Sequence, residues 1–183
     1  MKEYIILDNK KKIIFLDRDG VINIDKHYLY KIEEFEFTQN LFKTCKYFIS
    51  LGYEIIVITN QSGIARKYYN EDDFKKLTSW MINEFKQNDI NILDLFYCPH
   101  SPNDNCSCRK PKPGMILQAN HKYNIDLENS WLIGDKTSDI EAGINAGIQN
   151  TILIASEYST ETDEINTQHI IHNIIETKNI IKN

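Results

Sequence analysis

The hydrophobic residues of this chain fall into short, almost uninterrupted runs. The strongest is Ile13–Leu16, and it is followed by Tyr53–Thr59, Leu93–Tyr97, Trp131–Ile133 and Thr151–Ala155. Runs of this length without alternating polar positions are typical of strands buried on both faces of a parallel sheet. Two weaker runs predict an edge strand at His169–Ile171 and a hairpin partner of the first strand at Tyr4–Leu7.

Amphipathic stretches at helical spacing separate these runs. Asn40 and Asn70 are predicted to cap the first two helices, and Gly52 and Gly147 to close helices in the left-handed conformation. Further helices are predicted at Met115–Tyr123, at Ser138–Ala146 and after Ile171, whereas residues 23–37 show no period and predict a loop. Strands alternating with helices predict an α/β domain with a mostly parallel sheet covered on both faces.

Composition narrows the class of protein. With 183 residues, 42% of them hydrophobic, the chain predicts a single domain spanning residues 1–183, without a large cap domain. The formal net charge of −5 argues against a nucleic-acid partner. No apolar run approaches the ~20 residues of a membrane span, and the amino terminus lacks a secretory signal. We therefore expect a cytoplasmic protein without a membrane partner and, since no long apolar stripe is exposed, a monomer.

Polar clusters follow four of the predicted strands. They are the segments Asp17–Gly20, Thr59–Gly63, Arg109–Pro111 and Gly134–Asp139. Taken singly, the acids are typical of turns or helix caps, and the basic pair of a solvated surface. The carboxyl ends of parallel strands share one edge of a sheet, which is where open α/β sheets bind ligands. Carboxylates there suit Mg²⁺, and hydroxyl, backbone N–H and lysine groups suit a phosphoryl group.

A second cluster combines three cysteines and a histidine. Cys98, His100, Cys106 and Cys108 have the spacing C-x-H-x5-C-x-C, and ligands of these types can close a tetrahedral Zn²⁺ site. Four protein ligands leave no position for water, so we interpret the zinc as structural. The alternative is a reduced, metal-free loop. Cys45 lies on an apolar helix face and is interpreted as a core residue.

The four strand-end clusters also resemble a known family. FLDRDG, ITN, the lysine of RKP and GDKTSD are similar to the four motifs of the haloacid-dehalogenase superfamily of phosphotransferases. LDRDGVIN, TNQSGIAR, CPH with CSCRKPKPGM, and GDKTSDIEAG resemble the heptose-bisphosphate phosphatases within it. The resemblance covers essentially the whole chain. It implies a Rossmann-like, three-layer α/β/α fold and removal of the 7-phosphate of a phosphorylated heptose, in nucleotide-activated heptose biosynthesis for lipopolysaccharide core or capsule.

The resemblance also implies residue roles. Asp17 would be the nucleophile and Asp19 the general acid and base, while Thr59 and Lys110 hold the phosphoryl oxygens. Catalytic Mg²⁺ would bind Asp17, the backbone carbonyl of Asp19, and Asp135. The implied substrate-binding residues are Asp25, Lys26, His27, Tyr28, Thr59, Asn60, Gln61, Ser62, Arg109, Lys110 and Lys136.

Some positions depart from the family pattern. His27 and Lys67 stand where the family usually has glycine, and the spacer between His100 and Cys106 is short, as in the histidinol-phosphate phosphatases. Tyr68 and Tyr69 have two open interpretations, stacking on a sugar or covering the start of the second helix. The alternatives for function are a histidinol-phosphate phosphatase and a catalytically idle, zinc-stabilised binding module. Because such a module need not retain Asp19 beside Asp17, the acids favour an enzyme.

Overall fold

The core of the molecule is a parallel sheet. The computed structural model describes residues 10–155, 167 and 169–182. Its strands are β1 (Ile13–Leu16), β2 (Glu54–Asn60), β3 (Ile92–Cys98), β4 (Trp131–Gly134), β5 (Asn150–Ile154) and β6 (His169–Ile171). They form a six-stranded sheet in the order β3-β2-β1-β4-β5-β6, with every neighbouring pair parallel. The β1 strand therefore lies between β2 and β4, and its carboxyl end is at the middle of the edge.

In the described part of the chain, four α-helices cover the two faces of this sheet. They are α1 (Leu41–Ser50), α2 (Glu71–Gln87), α3 (Gly114–Tyr123) and α4 (Thr137–Ala146). Ile14 and Leu16 pack into one core with residues of α1 and α2, such as Phe48 and Phe85. The alternate strand residues, including Ile13, pack into a second core with residues of α3 and α4. Successive side chains of a strand point to opposite faces, so β1 belongs to both cores. This confirms the predicted three-layer α/β/α fold.

The helix termini agree with the sequence in most places. Asn70 accepts a hydrogen bond from the Asp73 backbone in a capping box, and Gly52 and Gly147 have φ angles of +81° and +96°. The prediction for Asn40 was wrong. Asn40 precedes α1, but its φ of +64° is left-handed and its side chain makes no capping hydrogen bond. A side-chain cap needs extended backbone, from which the side chain reaches the first free N–H groups of the helix.

The predicted carboxyl-terminal helix is present after β6. Residues Ile174–Asn179 form a 3-10 helix, in which Ile174 and Thr177 are buried. Buried residues three positions apart suit the tighter 3-10 period. The predicted strand at Tyr4–Leu7 lies outside the described residues.

The connections leave the carboxyl edge of the sheet open. Between residues 10 and 155, the segments joining strands and α-helices contain only two 3-10 turns, Ile32–Glu34 and Pro102–Asp104, and no inserted cap domain. Among the helices that the structure describes, none has the length and apolar character needed to cross a bilayer.

The packing of α1 against the sheet can be tested at two neighbouring positions of this helix. Phe48 is fully buried, whereas Ile49 is 38% exposed. We expect Phe48→Ala to lower the free energy of unfolding by about 3–5 kcal/mol, because it leaves a cavity. Ile49→Ala should change it by less than about 1 kcal/mol. Urea denaturation measures both, and equal losses would contradict this packing.

Candidate active site

A cavity opens at the carboxyl edge of the sheet. It has a volume of about 450 Å³ and is lined by Asp19, Asp25, His27, Tyr28, Asn60, Gln61, Ser62, Tyr69, Arg109, Lys110, Pro111, Lys136 and Ser138. An adjoining pocket of about 50 Å³ reaches Asp17, Thr59 and Asp139. The polar clusters that follow β1, β2, β3 and β4 therefore meet in one place, as parallel strands require.

Asp17 lies at the floor of this site, directly after β1. Its Oδ1 accepts a hydrogen bond of 2.8 Å from the Arg18 backbone N–H and lies 2.8 Å from the Lys110 ammonium. Burial and the neighbouring charge of Asp139 raise the pKa of Asp17 to about 6, although Lys110 opposes the shift. The carboxylate is held in one orientation but is costly to ionise without a further cation.

Lys110 is a buried cation between two acids. Its Nζ lies 2.8 Å from Asp17 Oδ1, 2.6 Å from Asp139 Oδ1 and 3.1 Å from the Ile58 carbonyl oxygen. Burial disfavours the ammonium, but the two carboxylates outweigh it and raise the pKa of Lys110. The Asn60 side chain accepts from the Lys110 N–H and donates to its carbonyl oxygen, each at 3.1 Å. The Asn60 side chain thus positions Lys110 by binding the backbone of that lysine.

Asp139 is a site residue that the sequence interpretation missed. It was assigned to helix capping, and its Oδ2 does accept from the backbone N–H groups of Asp135 and Lys136. Its other oxygen contacts Lys110, so the Asp139 side chain both caps the start of α4 and pairs with the buried lysine. Its place inside the GDKTSD motif was the available signal.

Asp135 carries the strongest indication of a bound cation. It is fully buried, and neither carboxylate oxygen has a hydrogen-bond partner in the described part of the chain. Oxygens of Asp17, Asp135 and Asp139 lie within 4.8 Å of one another. Burial, together with the charges of Asp17 and Asp139, raises the pKa of Asp135 to about 8. Crowded, unsatisfied carboxylate oxygens fit a hard divalent ion such as Mg²⁺.

Gly20 makes this crowding possible. A Cβ atom at this position would lie 2.2 Å from Asp135 Oδ2, and the φ of Gly20 is +90°. Any other residue would push the β1 loop away from Asp135.

Asp19 is turned toward a buried arginine. Its two oxygens accept four hydrogen bonds of 2.8–3.2 Å from Nε and Nη2 of Arg18. They also accept from Asn23 at 3.0 Å and Gln61 at 3.1 Å. Burial by itself would raise the pKa of Asp19, but Arg18 and the amide donors lower it. The sequence interpretation missed Arg18, whose role depends on being 1% exposed beside Asp19.

Gln61 joins the second strand end to this network. Its Nε2 donates to Thr59 Oγ1 at 2.8 Å as well as to Asp19, and its Oε1 accepts from the Tyr69 hydroxyl. Tyr69 is buried and stacks on Tyr30, with ring centroids 5.3 Å apart. Gln61 therefore orients Thr59 and Asp19 from inside the cavity wall.

The residues predicted to bind substrate are mostly gathered around the cavity. Lys136 Nζ lies 3.1 Å from Asp25 Oδ2, and Arg109 contacts the carbonyl oxygen of His100 at 3.4 Å. Lys26 is the exception, since it is absent from the lining and pairs with Glu36 at 3.3 Å. His27 and Tyr28 both have left-handed backbone, and Lys26 lies on the outer side of this turn, bound to Glu36 and the Glu34 carbonyl oxygen.

The four predicted zinc ligands converge beside the cavity. Their donor atoms, Sγ of Cys98, Cys106 and Cys108 and Nδ1 of His100, all lie within 4.8 Å of one another. The Cys98–Cys108 and His100–Cys108 pairs are 3.1 Å and 3.3 Å apart. This crowding of soft donors fits a tetrahedral ion with Zn–S bonds of about 2.3 Å. Arg109 and Lys110 follow Cys108 directly in the chain, so the four donors lie next to both cations.

The structure combines a parallel sheet, aspartates after β1 and β4, and Lys110, which contacts Asp17 and Asp139. These features define a haloacid-dehalogenase-like hydrolase. Residues 107–177 match a family model described as HAD-hydrolase-like.

Named relatives show to which family within this class the chain belongs. The chain is 52% identical over 148 residues to a D-glycero-α-D-manno-heptose-1,7-bisphosphate 7-phosphatase of Campylobacter jejuni, covering 81% of this chain and 85% of the relative. It is 49% identical over 147 residues to the β-anomer 7-phosphatase of Helicobacter pylori, covering 80% and 85%. The chain belongs to the heptose-1,7-bisphosphate 7-phosphatase family.

A solved structure is similar over most of the chain. It is the D,D-heptose 1,7-bisphosphate phosphatase of B. bronchiseptica, complexed with magnesium and phosphate. Its TM-score is 0.79 at 28% identity, and the match covers 89% of this chain and 93% of that one.

The acid cluster predicts a pH-dependent response to magnesium. In metal-free protein the folded pKa values of Asp17 and Asp135, about 6 and 8, exceed the ordinary 3.8. The folded state then holds more protons than the unfolded state. The contribution of these groups to stability is fully present below about pH 4 and is lost as the pH rises through 6 and 8. Magnesium should offset this loss, so its stabilising effect should be larger at about pH 8 than at about pH 5.5.

Thermal unfolding with EDTA or MgCl₂ at both pH values measures this effect. Asp135→Asn should remove most of the magnesium response. Asp72→Asn, on the exposed surface of α2, should keep it. If magnesium raised the melting temperature by the same amount at both pH values, the prediction would be contradicted.

Proposed function

We propose that this chain hydrolyses the 7-phosphate of a D-glycero-D-manno-heptose 1,7-bisphosphate, with Asp17 as nucleophile. The observation that carries the proposal is the pairing of Asp17 with the buried Lys110, beside an Asp135 whose oxygens have no hydrogen-bond partner in the described chain. A carboxylate nucleophile, a cation for the phosphoryl group and a metal position thus lie at the floor of one open cavity. The names of the relatives supply the substrate.

Asp17 begins the reaction by attacking phosphorus. Both contacts described for its carboxylate are made by Oδ1, which leaves Oδ2 available to form the new O–P bond. The bond from phosphorus to the sugar oxygen breaks, and Asp19 donates the proton that this oxygen needs. An aspartyl-phosphate on Asp17 results, which divides hydrolysis into two easier steps.

Water completes the cycle by attacking the aspartyl-phosphate. Asp19 takes a proton from this water, phosphate leaves, and Asp19 is again protonated for the next substrate. The nearby phosphate dianion favours the protonated form of Asp19 before the first step, because two negative groups repel each other. Arg18 favours the ionised form that accepts the proton in the second step.

The remaining groups stabilise charge on the phosphoryl oxygens. Lys110 and Thr59 line the smaller pocket, where the transferring group would lie. Mg²⁺ would be held by Asp17, the backbone carbonyl of Asp19 and Asp135, where it supplies positive charge that offsets repulsion between nucleophile and phosphate. Electrostatic stabilisation of this kind is the main contribution to phosphoryl transfer.

The outer part of the cavity would hold the sugar and its second phosphate. Arg109 and Lys136 supply positive charge, and Asp25, His27 and Tyr28 line the same wall. A structural zinc ion on Cys98, His100, Cys106 and Cys108 would keep Arg109 and Lys110 in place. Three thiolates suit a reducing compartment, which supports a cytoplasmic location. The exposed aliphatic residues Ile49, Leu117 and Ile170 lie on α1, α3 and β6, and α1 and α3 cover opposite faces of the sheet, which supports a monomer.

Phosphate release tests the reaction and its substrate together. Heptose bisphosphate should be hydrolysed with magnesium present. Both anomers should be tested, because the relative named for the α-anomer is 52% identical to this chain and the relative named for the β-anomer is 49% identical. Histidinol phosphate and fructose bisphosphate serve as competitors. Faster release from histidinol phosphate would favour that activity, and no release at all would favour a binding module.

Asp17→Asn should abolish turnover, because an amide oxygen does not form the acyl phosphate. The change is isosteric, so the melting temperature and zinc content should stay near those of the parent. Asp72→Asn is the matched control and should keep full activity. Hydrolysis by Asp17→Asn at the parent rate would overturn the assignment of the nucleophile.

The zinc proposal makes a separate prediction. Metal analysis should find zinc at about one ion per chain, and Cys106→Ser should lose it together with most of the activity, because Arg109 and Lys110 lose their anchor. Cys45→Ala removes a buried thiol on α1 and should keep its zinc. Full zinc content in Cys106→Ser would refute the ligand set.

A further inference from the structure

Two loops meet at the rim of the cavity through their aromatic residues. Tyr28, in the loop after β1, and Tyr68, in the loop after β2, have ring centroids 4.6 Å apart and an interplanar angle of 71°. The Arg66 guanidinium lies over the Tyr28 ring, 6.0 Å from its centroid. We call these three residues, Tyr28, Tyr68 and Arg66, the rim cluster.

Only one member of the rim cluster faces the cavity. Tyr28 lines it, whereas Tyr68 and Arg66 are absent from the lining. Tyr28 is 43% exposed and Tyr68 is 55% exposed. Contacts between such exposed rings add little to a hydrophobic core, but they restrict where the Tyr28 ring can lie.

The backbone of both loops adopts uncommon conformations at this contact. His27, Tyr28 and Lys67 have φ angles of +55°, +54° and +60°. A side chain disfavours the left-handed region, and such residues persist where the surrounding structure holds them. The loops thus retain left-handed turns without glycine, on either side of the Tyr28–Tyr68 contact.

We infer that Tyr68 and Arg66 are positioning residues that hold the Tyr28 ring as a sugar-binding wall. This inference rests on the proposed function. A pyranose ring presents C–H groups that pack against an aromatic face, and the Tyr28 hydroxyl adds a polar group at the same wall. The phosphoryl group reacts at the cavity floor, so the rim cluster affects the binding of the sugar and not the chemical step. Tyr68 acts through Tyr28 and does not itself touch the reacting atoms.

The test separates substrate binding from catalysis. With heptose bisphosphate, Tyr68→Ala should raise KM roughly three- to tenfold with kcat within about twofold of the parent, since an aromatic pair contributes to binding on this scale. Tyr68→Phe keeps the ring and should restore the parent KM. Arg66→Gln should raise KM in the same direction.

A substrate without a sugar provides the internal comparison. With phenyl phosphate, Tyr68→Ala and the parent should have the same KM, because the phosphoryl site is unchanged. Tyr123→Ala removes a ring of equal size at the far end of α3 and should leave KM unchanged for both substrates. Thermal unfolding shows whether each variant is folded.

The possible failures are distinguishable. If the parent hydrolyses heptose bisphosphate and Tyr68→Ala has the same KM, the rim cluster inference is wrong and the proposed function stands. An equal rise of KM for both substrates, or a loss of kcat alone, also overturns the inference. If the parent hydrolyses no sugar phosphate, the proposed function fails and the inference fails with it.

Discussion

The structure depends on a buried charge cluster that contains more carboxylates than ammonium groups. Lys110 contacts Asp17 and Asp139, and Asp135 adds a third acid within the same few ångströms. A buried ammonium is tolerated only with anions beside it, and buried carboxylates need cations. The cluster therefore holds together segments that are far apart in sequence, and it is short of positive charge at the position where magnesium fits. Stability and chemistry share the same groups here.

This cluster requires close approach of the backbone as well as complementary charge. A Cβ atom at Gly134 would lie 2.2 Å from the Asp139 Cβ, in the same way that one at Gly20 would meet Asp135. The Asp139 side chain then reaches two backbone N–H groups and Lys110 together. Asn60 fixes Lys110 through its backbone, and the cysteine and histidine loop precedes that lysine directly. Uncharged groups thus help to position Asp139 and Lys110, beside the ion pairs that these two residues make.

The sequence predicted these elements unevenly, for physical reasons. All six strands of the sheet were predicted at nearly their observed positions, because strands buried on both faces need continuous apolar runs. The four polar clusters were predicted to meet because parallel strands end at one edge, and their residues do line one cavity and its adjoining pocket. Capping at Asn40 was mispredicted because residue type does not reveal a left-handed backbone. Lys26 was predicted to bind substrate, and its side chain pairs with Glu36, because adjacency in sequence does not show on which side of a turn a side chain lies.

By itself, the sequence determined the class of fold, the acids and lysine at the strand ends and the four zinc-type ligands, because these follow from residue type and short spacing. Only the tertiary structure decided which groups pair. It placed Arg18 against Asp19, and it brought Tyr28 into contact with Tyr68. One Asp139 oxygen binds the start of α4 and the other contacts Lys110, whereas Asp135 has no hydrogen-bond partner in the described chain. Two of these pairings, Asp139 with Lys110 and Tyr28 with Tyr68, depend on distances between segments tens of residues apart. The pattern along one strand or one loop contains no information about those distances.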